Sequence, residues 1–136
     1  MSEIKLEAKI ENIPVAQDFL HEHTDKFECP FGVMIQLEIA IEEIFTNISL
    51  YAYGDEPGTA TVGIETTDDP PTVYITFTDS GVPYDPLKKD DPDITLGADE
   101  RPIGGLGIFM VKETMDDMKY EYKDGKNILT LKKILK

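Results

Sequence analysis

Cysteine is nearly absent. Cys29 is the only one in 136 residues, so no disulfide can form within the chain, and a reducing, cytoplasmic setting is expected. Standing directly before Pro30, this thiol reads as inert. No apolar run approaches the ~20 residues that a membrane-spanning helix requires. The opening MSEIKLEAKI alternates polar and apolar residues and lacks a signal-peptide core. Positive charge is scarce: 13 Lys and Arg face 27 Asp and Glu, a formal charge of −14. That balance argues against nucleic acid or an anionic membrane as partner. Internal repeats are absent too, and the length fits one soluble domain, residues 1–136, with a single sizeable core.

What is present is a clear alternation of element types. Ile4 to Ile10 alternate with Ile4, Leu6, Ala8 and Ile10 inward, which predicts a half-buried strand. Pro14 suits the first turn of a helix running to about Lys26, with Val15 and Phe19 on its buried side. The run from Gln36 to Tyr53 places Leu37, Ile41, Ile44, Phe45, Ile48 and Ala52 on one helical face and ends at Gly54. Strands Thr59 to Thr66 and Val73 to Asp79 follow, joined by TDDPP as a hairpin. A Gly cluster then opens a helix over PIGGLGIFMVKETMDDM. Finally, strands Met118 to Tyr122 and Asn127 to Leu135 meet at Asp124-Gly125, a type I′ hairpin signal. Helices segregated from a mainly antiparallel sheet predict an α+β two-layer sandwich.

Three places carry chemistry. Glu43 and Asn47, four residues apart, stack one turn above the other on the flank of the central helix. Asp79-Ser80-Gly81-Val82-Pro83 ends a strand, where an Asp can accept a hydrogen bond from an exocyclic amine. Gly81 there permits a positive φ or the close approach of a flat ring. Gly104-Gly105-Leu106-Gly107 opens a helix whose N–H groups and dipole favour phosphate. No Lys-Ser or Lys-Thr closes a Walker loop, and Met110 occupies the third Gly position of a dinucleotide fingerprint. Each feature alone also reads as ordinary helix-edge or turn chemistry. Between the last two lie about 20 polar residues, SGVPYDPLKKDDPDITLGADER, which by themselves read equally as a lid or a disordered acidic loop.

In chain order these features resemble the GHKL ATPase superfamily, whose N, G1 and G2 boxes correspond here to EEIFTN, DSGVP and GGLGIF. Within it, the chain is similar to the small stand-alone anti-sigma-factor serine kinases and their stressosome-type relatives, over nearly its whole length. The resemblance implies the Bergerat, or histidine-kinase-like ATPase, fold, with helices over one sheet face and an ATP lid at about 82–103. It implies ATP and Mg2+ as cofactors. By the same resemblance Glu43 is the general base, Asn47 the magnesium ligand, and Asp79 the acceptor of the adenine amine beside Gly81. Gly104, Gly105 and Gly107 cradle phosphate, Arg101 supplies a cation, and Thr130 contacts adenine, the last balanced against an ordinary strand Thr. Lys88, Lys89 and Lys112 are further candidates to meet phosphate. Tyr51 stands where many relatives have His. His21 and His23 read as surface residues and not metal ligands. A histidine kinase is not expected, for lack of a dimerisation helix with a phosphoacceptor His.

Magnesium, glycine N–H groups and Arg101 would together neutralise ATP locally in an otherwise acidic protein. The function implied is a protein serine kinase that phosphorylates a STAS-type anti-anti-sigma protein and holds a sigma factor through another surface. Relatives often form homodimers through the sheet or first-helix region. A nucleotide-dependent switch module without strong kinase activity is the alternative, and a metabolic ATPase has less support because no small-molecule pocket signature accompanies the nucleotide site.

Overall fold

Alternating apolar residues pair the strands into one sheet. The computed structural model describes residues 1–88 and 105–135. In it β1 (Ser2–Glu7), β2 (Thr59–Asp68), β3 (Pro71–Asp79), β4 (Asp117–Lys123) and β5 (Lys126–Ile134) lie in the order β1-β2-β3-β5-β4. Every neighbouring pair is antiparallel. At the β4–β5 turn Asp124 and Gly125 take φ of 55° and 76°, the left-handed pair a type I′ hairpin needs. The β2–β3 turn contains a cis Asp69–Pro70 bond.

Because side chains alternate across a strand, one sheet face collects the apolar rows. Ala60, Val62 and Ile64 of β2, Val73, Ile75 and Phe77 of β3, and Leu129 and Leu131 of β5 are all buried. Three helices, α1 (Ile13–Thr24), α2 (Phe31–Asn47) and α3 (Gly105–Thr114), contribute to the same core. At roughly 25 cal/mol per Å² of apolar surface, this shared core is the main force holding the two layers together. The arrangement is the expected α+β sandwich.

The central helix buries Leu37, Ile41, Ile44, Phe45, Ile48 and Ala52, the whole expected row, with Ala40 added. It starts earlier than periodicity suggests, directly after Pro30. Its last turn, Ile48–Ala52, widens to π-helical geometry, and Gly54, at φ 61°, lets the chain turn away. Such widened turns often occur at functional sites.

Two expectations are corrected. α1 buries Ile13, Ala16, Leu20 and Thr24, not Val15, which is exposed. The packed row runs through small Ala16 one position away, whereas Phe19 is partly buried against the core as expected and also meets the His23 ring, centroids 4.7 Å apart. β1 ends at Glu7: Ala8 N–H still donates to Gly58 O at 2.9 Å, and Lys9 N–H then turns back to Glu7 O at 2.9 Å. Ile10 therefore lies in a short 3-10 turn and is exposed.

Candidate functional site

The apolar rows of β3 and β5 end in polar residues at the same edge. Asp79 continues Val73, Ile75 and Phe77, while Asn127 begins the row of Leu129 and Leu131, and the two are cross-strand partners. Both are buried. They line a cavity of about 130 Å³ together with Ile44, Asn47, Ile48 and Tyr51 of the central helix and its π turn, Phe77, Ile108 of α3, and Leu129. Tyr84, from the segment after β3, completes one side. Ligand pockets typically span about 300–1,000 Å³, so this cavity suits one flat ring system and not a whole nucleotide.

Asp79 Oδ1 accepts hydrogen bonds from Gly81 N–H at 2.9 Å and Asn127 Nδ2 at 3.0 Å. Its second oxygen has no hydrogen bond among the described residues, and so stays available to a donor entering the cavity. A carboxylate oxygen can only accept here, so an amine-bearing ring is a fitting occupant. Gly81 does not take the positive φ that its type allows, and a packing reason for it is visible. A Cβ there would lie 2.2 Å from Ala52 O, because Val82 N–H donates to that same carbonyl at 2.9 Å. The strand end is thereby fastened to the end of the π turn.

One helical turn from Asn47, Glu43 points at α3. A Cβ on Gly107 would fall 1.9 Å from Glu43 Oε2, so the glycine makes room for this carboxylate in the first turn of that helix. Burial first, then the nearby charge of Glu42, raises the Glu43 pKa above the ordinary carboxylate value. Glu43 is only half-buried and is not a wall of the cavity. Asn47 is, and its carboxamide makes no hydrogen bond among the described residues. Glu43, Asn47, Asp79, Gly81 and Gly107 are thus gathered around one cleft, with Gly105 as the first residue of α3.

Thr130 is not brought there. It is out of phase with Asn127, Leu129 and Leu131, so its hydroxyl lies on the other sheet face, 3.3 Å from that of Thr76. Strand parity alone accounts for this correction. Arg101, Gly104, Lys89 and most of the expected 82–103 lid lie outside the described residues. Asn127, Tyr84 and Tyr120 belong to the site without having been singled out. Asn127 shares the parity of its buried apolar neighbours, the one signal in the sequence that points to it.

A helix–sheet sandwich with a buried Asp at the cavity under the central helix, and a carboxylate and carboxamide one turn apart beside it, defines a class. The chain belongs to the histidine kinase-like ATPase domain family, whose profile matches residues 6–133. Among curated relatives it is similar to the serine-protein kinase RsbW of Bacillus cereus, 26% identical with 97% of this chain and 84% of that protein covered. It is likewise similar to RsbW of Listeria monocytogenes, at 29% identity over 96% of this chain and 85% of the relative. The fold matches the RsbU and RsbW domains of Rv1364c from Mycobacterium tuberculosis, with TM-score 0.62 and 14% identity, over 99% of this chain. A blue-light activated histidine kinase of Erythrobacter litoralis EL346 also matches, with TM-score 0.54 and 14% identity, over 93% of this chain. The chain spans 33% and 60% of those two solved chains, respectively. Among the described residues, no helix is long and apolar enough to cross a membrane.

Proposed function

We propose that this protein is an ATP-dependent protein serine kinase of the partner-switching type, acting as an anti-sigma factor whose substrate is a STAS-type anti-anti-sigma protein. The observation that carries the reading is the placement of Glu43. Its carboxylate lies against the first turn of α3, one helical turn from Asn47 and next to the cavity that ends in Asp79. The RsbW relatives, named serine-protein kinases, support the same reading.

In this reading Asp79 accepts the exocyclic amine of adenine, and Ile44, Ile48, Phe77, Ile108 and Leu129 exclude water around the ring. The N-terminus of α3 faces the phosphates, where helix N–H groups favour negative charge. Glu43 takes the proton of the partner's serine hydroxyl as the serine oxygen bonds to the γ-phosphorus, and the bond from that phosphorus to the bridging oxygen of ADP breaks. Asn47 fits a magnesium role through its unpaired carboxamide oxygen. Magnesium is commonly held by one or two protein oxygens with phosphates and waters completing its shell, and no cluster of three acidic, His or Cys residues stands elsewhere among the described residues. When bound, the ion would offset phosphate charge. Phosphate placed on the substrate then adds negative charge to the interface and releases the partner.

The test is transfer from labelled Mg-ATP to STAS proteins encoded nearby. Labelled phosphoserine is expected with the native protein and with Lys5→Ala, and its rate falls ~10²-fold or more in Glu43→Gln. Because the base must be ionised, the native rate should fall as pH drops through a pKa above the ordinary carboxylate range. The same raised pKa means that Glu43 stabilises the fold when protonated, and that this contribution is lost as pH rises through its folded pKa. Glu43→Gln should therefore lose transfer at neutral pH without losing stability. Tight nucleotide binding with no STAS protein labelled would reject the kinase and leave a nucleotide-dependent switch module.

A further inference from the structure

Asn127 holds the base end of the cavity together through four hydrogen bonds. Its Nδ2 donates to Asp79 Oδ1 at 3.0 Å and to Val82 O at 2.9 Å. Its Oδ1 accepts from Tyr84 N–H at 3.1 Å and from the Tyr120 hydroxyl. A carboxamide offers two donors and two acceptor positions, so this one is fully used. Its orientation is also fixed, because a backbone N–H can only donate and a carbonyl can only accept. Turned over, the amide would set Oδ1 against both Val82 O and the Asp79 carboxylate.

Two consequences follow for the cavity. Asp79 Oδ1 already receives two donors, so only its other oxygen can meet a ligand, and that oxygen is an acceptor. The carboxamide of Asn127, which could otherwise swing and donate to a carbonyl on a ring, has no hydrogen left to give. Asp79 and Asn127 are the buried polar residues of the cavity wall, and between them they present an acceptor and no donor.

We propose that Asn127 is a positioning residue that sets base selectivity, holding Asp79 so that the site takes a 6-aminopurine and rejects a 6-oxopurine. The inference rests on the nucleotide reading above and adds the residue that enforces it. It acts through Asp79, from β5, and through Tyr120 ties the site to β4. By fastening Val82 and Tyr84 it also fixes the chain where it leaves β3.

ATP and ITP, which differ at the 6-position, provide the test, with affinities measured by calorimetry in the full chain. The native protein is expected to prefer ATP by about tenfold or more, the value of one buried hydrogen bond gained against one acceptor faced by another. Asn127→Ala should lower ATP affinity about tenfold while changing ITP affinity much less, so that the ratio contracts. A merely structural role would weaken both nucleotides alike. Tyr120→Phe, which removes one donor to Asn127 and keeps the packing of the ring, should contract the ratio by a smaller factor. If Asn127→Ala or Tyr120→Phe is folded and keeps the native ATP-to-ITP ratio, the proposal is overturned. If the native protein binds neither nucleotide, the nucleotide reading itself fails, a result distinct from a native preference that survives the substitutions.

Discussion

At Asp79 the neighbours are backbone groups and a buried carboxamide with no spare hydrogen bond. At Glu43 the neighbour is the space left by a missing Cβ, and the carboxylate has no hydrogen bond among the described residues. Both ends depend on a glycine, yet for opposite reasons. Gly81 leaves room for the backbone of Ala52, which cannot give way. Gly107 leaves room for the tip of a side chain, which can. The contrast suits the work proposed for each end, since a rigid pocket selects a ring and a half-exposed carboxylate meets an incoming partner.

The sharpest way to break the contrast is Gly81→Ala. Its new methyl would lie 2.2 Å from Ala52 O and 2.6 Å from Ala52 C, so the strand end and the π turn must separate. Overpacking of this kind costs about 1–3 kcal/mol, and a clash with backbone belongs at the upper end. A fall of roughly 10 °C in melting temperature is expected for a chain of this length, together with loss of nucleotide affinity. A melting curve that overlays the native one would show that this end yields as readily as the other.

Gly107→Ala tests the softer end. Its methyl meets only the Glu43 side chain, 1.9 Å from Oε2 and 2.5 Å from Cδ, and Ala is a better helix former than Gly by up to about 1 kcal/mol. Stability should be unchanged or slightly raised. Phosphoryl transfer should nonetheless fall about tenfold or more, because the base has been moved by roughly a bond length. Unchanged transfer would mean that Gly107 does not set the position of Glu43.

How much of this was legible in the sequence divides along the same line. The sheet rows, the central helix and the Asp124-Gly125 turn follow from periodicity and local turn chemistry, which act within a few residues. Glu43, Asn47 and Asp79 were legible because they stand in local motifs. The hydrogen-bond network of Asn127 was not, since its four partners come from β3, β4 and the segment after β3, and only the register of Asp79 against Asn127 brings them together. The reason for Gly81 was hidden likewise, as Ala52 reaches it through the fold. On α1 the bulk of Val15 misled: it is exposed, and the row that packs passes through small Ala16, with Phe19 at its margin.

The smallest expected effect concerns the sheet's two faces. Thr130 and Asn127 are three residues apart on β5, an odd separation that puts their side chains on opposite sides. Asn127 is buried at the cavity, whereas Thr130 is half-buried and meets Thr76. Thr130→Val keeps the shape and β-branching and removes only the hydroxyl. ATP affinity should therefore be unchanged within error, and stability should fall by no more than about 1 kcal/mol, the loss of one part-exposed hydrogen bond to Thr76. A several-fold weakening of ATP binding by calorimetry would require the outer face to communicate with the ring site.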